Sequence, residues 1–267
     1  MKIRTSIFCF LLIFACAGIL LSRLDSQAVY DADSVGASLD GTGESTGASD
    51  TASNVFGVTG IVGGAGGLKG RGAAGEARCT VIVDAGHGGF DPGKVGVNGA
   101  NEKDINLQIA LLLEQYLSSQ NIEVIMTRTT DTGLYSENAK NKKSEDMRNR
   151  VALIEESGAD LLVSIHQNSY TQAKYSGAQV FYYTGSEEGE KLAKTVQARL
   201  IADADPENHR EAKANSDYYL LKKSAVTAII CECGFLSNPE ECEKLCTPEY
   251  QKLIAQSIFQ GIMEYLE

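Results

Sequence analysis

The chain has 267 residues, 43% of them apolar, and a formal net charge of −11. That apolar content suffices for one sizeable core, and the acidic balance is the wrong sign for binding phosphate backbones, which excludes nucleic acid as a partner. Only three histidines occur, and tryptophan is absent.

In chain order, the first segment carries Lys2 and Arg4, an apolar stretch from Ile7 to Leu21, then Arg23 and the small-x-small run Ser26-Gln27-Ala28. Residues 1–28 therefore read as a signal peptide or an N-terminal anchor, the apolar stretch being short of the ~20 residues of a membrane span. Export is expected. Residues 29–78 change character: 13 of the 27 glycines lie between 30 and 78, interleaved with Ser, Thr, Ala and Asp and without an apolar period. Such a segment buries too little apolar surface to offset its chain entropy, so a flexible linker is expected there, with one folded domain over 79–267.

Within that domain, apolar runs at 80–84, 122–127, 160–166, 178–183 and 226–232 predict strands, and helical periods occupy 104–119, 144–157, 187–202 and 249–266. The alternation predicts an α/β fold, a single domain with a mostly parallel twisted sheet and helices on both faces. Tyr218-Tyr-Leu-Leu221 reads as a further strand, and Asp104 as the N-cap of the first helix. Thr247-Pro248 marks a start for the last helix, with threonine as cap and proline at the first position.

Five cysteines follow residue 78, at 79, 231, 233, 242 and 246. The spacing of the last four, C-x-C-x8-C-x3-C, lacks the C-x2-C pairs of thiolate metal sites, so buried free thiols are expected.

Two histidines end apolar runs: His87 in Val81-Ile-Val-Asp-Ala-Gly-His87, and His166 in Asp160-Leu-Leu-Val-Ser-Ile-His166. Both fall where open α/β sheets hold ligands, at strand C-terminal ends. Glu102 opens a helical pattern between them, and two imidazoles with one carboxylate make a three-ligand zinc site with an open fourth position. Glu232 ends the run Ala228-Ile-Ile-Cys231, and a charge buried there needs a partner, either a cation such as Arg150 or a water at the metal. The run Gly88 to Lys94 matches G-x4-G-K, but Val95 stands where a phosphate loop has Ser or Thr, which argues against nucleotide binding.

Asp84-Ala-Gly-His87-Gly-Gly-Phe-Asp-Pro-Gly93, Glu102-Lys-Asp104, Ser164-Ile-His166-Gln-Asn168 and Glu232-Cys-Gly-Phe-Leu-Ser-Asn238 occur in that order. Together they resemble the zinc-dependent N-acetylmuramoyl-L-alanine amidases of bacteria, the type-3 amidase family, over essentially all of 79–267. The resemblance implies zinc on His87, Glu102 and His166, and Glu232 as general base for a zinc-activated water. The implied reaction cleaves the amide between N-acetylmuramic acid and the L-alanine of the peptidoglycan stem. Arg150 matches a recurrent arginine of the family, and it and Asn168 are expected to support the site from behind the ligands.

Some relatives carry an inhibitory helix between the second histidine and the next strand; only about ten residues separate Asn168 from Ala178 here, so none is expected. The short build resembles the germination-specific amidases of spore formers, which implies action on the spore cortex, in the cell wall or at the outer face of the membrane. The alternative is an exported zinc-containing module that binds peptidoglycan and becomes active only with an exported activator protein. The sequence carries no signal for oligomeric state.

Overall fold

The computed structural model describes residues 79–267; the expected signal or anchor and the linker lie outside the described residues. Six strands form a single sheet in the order β2-β1-β3-β6-β4-β5. They are β1 Thr80–Ala85, β2 Glu123–Met126, β3 Leu161–Asn168, β4 Gln179–Tyr183, β5 Lys213–Asn215 and β6 Thr227–Phe235. All neighbours run parallel except β4 and β6, which are antiparallel.

The central strands β1, β3 and β6 are buried almost throughout, as expected of parallel strands covered on both faces. On one face Val81, Val83, Leu161, Val163, Ile165, Ile229 and Cys231 pack against α1 (Glu102–Ser118), α3 (Glu187–Arg199) and α6 (Pro248–Leu266). The opposite face, with Ile82, Leu162, Phe181 and Ile230, packs against α2 (Lys142–Ser157) and α4 (Tyr219–Lys223). The α1 stripe Ile105, Ile109, Leu113 and Leu117 is spaced by four, so it stays on one side of the helix, and Leu113 has no exposed surface. Truncating that leucine to alanine is expected to cost about 2–5 kcal/mol in lost burial and cavity formation. In α6, Thr247 accepts from the Tyr250 amide and Pro248 occupies the first turn, as the sequence predicts.

Some expectations are corrected. Residues 219–223 form a helix, not a strand: Leu220 and Leu221 are adjacent yet both buried on the same core, which a strand's alternation does not permit. Asn101, not Asp104, is the N-cap residue of α1, its side chain contacting Asp104. Strand β6 runs three residues beyond Glu232, which is therefore inside the strand. The helix from Glu187 closes with a π-helical turn at Leu200–Ala204. Strand β5 and the short helix α5 (Pro239–Leu245) have no counterpart in the expected elements. Residues 169–178 contain no helix, in line with expectation.

The topology locates the site. From β1 the chain passes through α1 on one face to β2, then through α2 on the other face to β3, on the opposite side of β1. The direction of winding reverses between β1 and β3, and their C-terminal ends splay a crevice at that point.

Candidate metal centre and active site

His87 lies two residues past β1, and His166 lies inside β3, two residues short of its end. Glu102 is the first residue of α1, with the helix N-terminus close to its carboxylate. The chain brings all three together: one ligand atom from each of His87, Glu102 and His166 lies within 4.8 Å of the others. Glu102 Oε2 is 3.3 Å from His87 Nε2, and Glu102 Oε1 is 3.0 Å from His166 Nδ1. The imidazoles meet edge to face, with ring centroids 4.9 Å apart.

The backbone fits closely around this cluster. A Cβ at Gly86 would fall 2.3 Å from the His166 ring, so only glycine lets the chain leaving β1 pass beneath that imidazole. At Gly93, where φ is +68°, a Cβ would fall 2.6 Å from Glu102 Oε2 and 2.7 Å from the His87 ring.

Glu102 is 1% exposed and richly held. Its Oε1 accepts from the Gln167 amide at 3.0 Å and from Asn106 Nδ2 at 3.3 Å, and its Oε2 accepts from the Lys94 amide at 2.8 Å. The amide of the sequence's phosphate-loop lysine is thus committed to a carboxylate, consistent with the rejection of nucleotide binding. Burial by itself would raise the Glu102 carboxyl, but the two imidazoles outweigh it and hold the group well below the usual carboxylate range. Burial likewise opposes charge on His166, and its hydrogen bond to Glu102 prevails, so its pKa is raised.

The donor set fits zinc. Two imidazoles and one carboxylate at this spacing are a known catalytic zinc ligation. His87 Nδ1 is 3.0 Å from Asp91 Oδ2, which turns Nε2 toward the cluster, as carboxylates behind metal-binding histidines do. Burial works against ionisation of Asp91, yet His87 beside it holds the carboxyl at about 2.

Glu232 stands one strand away, its Cα in register with that of His166 and on the same face of the sheet. It is 2% exposed, and its Oε1 accepts from the Tyr218 hydroxyl at 3.1 Å. The arginine considered for it in sequence, Arg150, is engaged elsewhere. Arg150 is 1% exposed, bonds Asp84 and, at 2.6 Å, Asp146, and donates to the carbonyls of Ala85 at 3.1 Å and His87 at 2.8 Å. It therefore braces the segment that carries His87. Asn168 is less involved: its Oδ1 accepts from the Ser169 amide, and its carbonyl accepts from Leu236, tying β3 to the end of β6. All five described cysteines are free, and none belongs to the triad.

Sequence reasoning missed Asp91, Asp84, Arg128 and Tyr218. Arg128 donates to the carbonyls of Ala85, Gly86 and Lys103, a second brace on the same turn. Two signals were available: Asp91 is four residues from His87, and Asp84 is an acid inside a buried apolar strand, which demands a cation. For Tyr218 the sequence offers none.

The family model for N-acetylmuramoyl-L-alanine amidase matches residues 81–264. The chain belongs to that family. It is 43% identical over 188 residues to the germination-specific N-acetylmuramoyl-L-alanine amidase of Bacillus subtilis, covering 69% of this chain and 78% of that protein. The CwlD amidase from Clostridioides difficile, solved in complex with the GerS lipoprotein, superposes with a TM-score of 0.69 at 42% identity, covering 70% of this chain and 98% of that one. An N-acetylmuramoyl-L-alanine amidase from Clostridium difficile 630 superposes at 0.63 with 36% identity, over 71% of this chain and 97% of that one. As in those amidase structures, the fold is a single α/β domain built on a mostly parallel sheet.

Proposed function

We propose that the protein is an exported, zinc-dependent peptidoglycan hydrolase that cleaves the amide between N-acetylmuramic acid and L-alanine, with Glu232 as its general base. The observation carrying this reading is the convergence of His87, Glu102 and His166, with Glu232 in register beside His166.

His87, Glu102 and His166 would hold the metal. Bound zinc supplies a Lewis acid that acidifies water and polarises the amide carbonyl. Asp91 fixes the His87 ring, while Arg150 and Arg128 fix the turn beneath it. Glu232 takes the proton of the attacking water and returns it to the departing alanine nitrogen. Tyr218 orients that carboxylate from the far side. Residues 1–28 serve export and 29–78 tether the domain, so deleting 1–78 is expected to leave folding and turnover unchanged.

The germination-specific relative supports action on the spore cortex. Because a similar amidase is solved with a lipoprotein, a partner-activated form of the same reading also has support. Phe90, Val95 and Val97 are all exposed on the loop between His87 and Glu102. An exported activator docking there would rigidify the loop and raise zinc occupancy. Zinc titration of the lone protein and of its mixtures with exported candidates tests this; tight stoichiometric zinc with full activity in the lone protein overturns it.

The main test is incubation of the purified protein with peptidoglycan, with and without chelator, followed by mass analysis of the released stems. Peptides beginning with L-alanine, lost on chelation, are expected. Full activity after verified metal removal would overturn the zinc reading.

A further inference from the structure

A cavity of about 540 Å³ opens where residues 174–177, the 205–210 segment and α5 meet. It lies at the sheet edge that holds the triad, because β4 runs antiparallel and begins where β6 ends. Its wall is tied to the catalytic strand. Arg210, which lines the cavity, donates to Gln179 Oε1 at 3.2 Å, and Gln179 is in register with Glu232 on the adjacent strand. The same guanidinium lies 4.6 Å above the ring of Phe235, three residues beyond Glu232.

The walls are held by hydrogen bonds within the chain. Buried Glu241 accepts from the amides of Gly177 at 2.9 Å and Phe235 at 2.7 Å, and Asn208 Nδ2 donates to the Ala178 carbonyl at 2.8 Å. The lining is charged but mixed. Lys174, Arg210 and Lys244 share it with Asp205, Glu207 and Glu240. A fourth carboxylate, Glu241, is taken up by two backbone amides, so the remaining lining offers charges of both signs, which can pair both ends of a zwitterion.

We propose that this cavity is the subsite for a stem-peptide side chain that ends in both an ammonium and a carboxylate, borne by the third residue of the stem. The inference rests on the amidase reading. The second stem residue is joined to the third through its γ-carboxyl, so in an extended stem the third lies about 9–10 Å beyond the first, two bonds further than in an α-linked peptide, and one strand spacing from Glu232 to Gln179 is about 5 Å. The cavity is therefore within reach of a stem whose first residue sits at the scissile amide.

The test reads binding, not turnover. The probes are the tripeptide L-alanyl-γ-D-glutamyl-meso-diaminopimelate, its analogue with L-lysine third, and the dipeptide lacking a third residue, titrated into the full chain by calorimetry and amide NMR. The diaminopimelyl tripeptide is expected to bind at least about tenfold more tightly than the other two, shifting the amides of Gly177 and Asn208. Lys174 and Lys244 are exposed, so Lys174→Glu with Lys244→Glu is expected to leave the fold intact, which a thermal melt checks. That double variant is expected to lose the preference while binding the dipeptide as before. Equal binding of the three peptides, or an unchanged preference in the variant, overturns the subsite. A protein that shows the preference but cleaves no peptidoglycan overturns the amidase reading alone; one that cleaves without preference overturns the subsite alone.

Discussion

Arg150 Nη2 donates to the carbonyl oxygen of His87 at 2.8 Å, and His87 holds a left-handed backbone with φ of 62°. That conformation disfavours any side chain with a Cβ and costs on the order of 1 kcal/mol. The bond from a buried guanidinium offsets the cost, and it places His87 Nε2 against Glu102.

Arg150→Lys retains the charge but not the fork that reaches Asp84, Asp146 and the two carbonyls. Zinc affinity is expected to fall about 10- to 100-fold, as for other groups that orient ligands. Arg150→Ala strands two carboxylates and is expected to destabilise the domain by about 3–5 kcal/mol. Zinc titrations and thermal melts check both; wild-type zinc affinity in the lysine variant would refute the brace.

Acid stability should depend on Asp84. Burial alone would raise its carboxyl, but Arg150 and the Ser164 hydroxyl hold it at about 2 against an ordinary 3.8. A depressed folded-state value contributes stability that is present above the unfolded value and is lost as pH falls through the folded one. The shift corresponds to about 2 kcal/mol, fully present above roughly pH 4 and lost toward pH 2. Urea unfolding of the metal-free protein across that window should show the slope, and Asp84→Asn should flatten it.

Glu232→Gln should keep zinc, since Glu232 is outside the three-residue cluster, and should lower turnover by about 10²- to 10⁴-fold. His166→Ala should lose the metal as well. Equal zinc loss in both variants would make Glu232 a ligand.

Asp91→Asn leaves the volume unchanged but removes the charge behind His87 Nδ1. Zinc affinity should drop about tenfold or more without a large change in melting temperature. An unchanged dissociation constant would mean that the ring is held by its packing alone.

The triad was legible because each member breaks a local pattern: two imidazoles after apolar runs and an acid opening a helix. Their convergence needed only the rule that strand ends share an edge. The supports were not legible. Arg150 and Asp84 are 66 residues apart, and nothing in the local sequence of Arg150 chooses between Asp84 and Glu232. Strand β5 has three residues, none buried, and pairs only with β4, so it carries no apolar period. Tyr218-Tyr-Leu-Leu221 is too short a run to separate helix from strand by composition. Helix α5, by contrast, carried a readable start in Asn238-Pro239, with Asn238 accepting from the Glu241 amide, the same device recognised at Thr247.

Strands β3 and β4 flank β6 in the sheet, so the segment 169–178 must pass over the end of the strand that carries Glu232. It is pinned there by the bonds from Tyr170 to Ser237 and from Asn238 to Ala173. This short span is the place where added length would change access to the reaction without altering the triad. Residues inserted at its exposed part, 171–173, would disturb no strand register and no core contact, yet they would fall across the mouth of the site. Within this fold, restraint of the hydrolase can be gained or lost through the length of a single connection, while the chemistry beneath it stays the same.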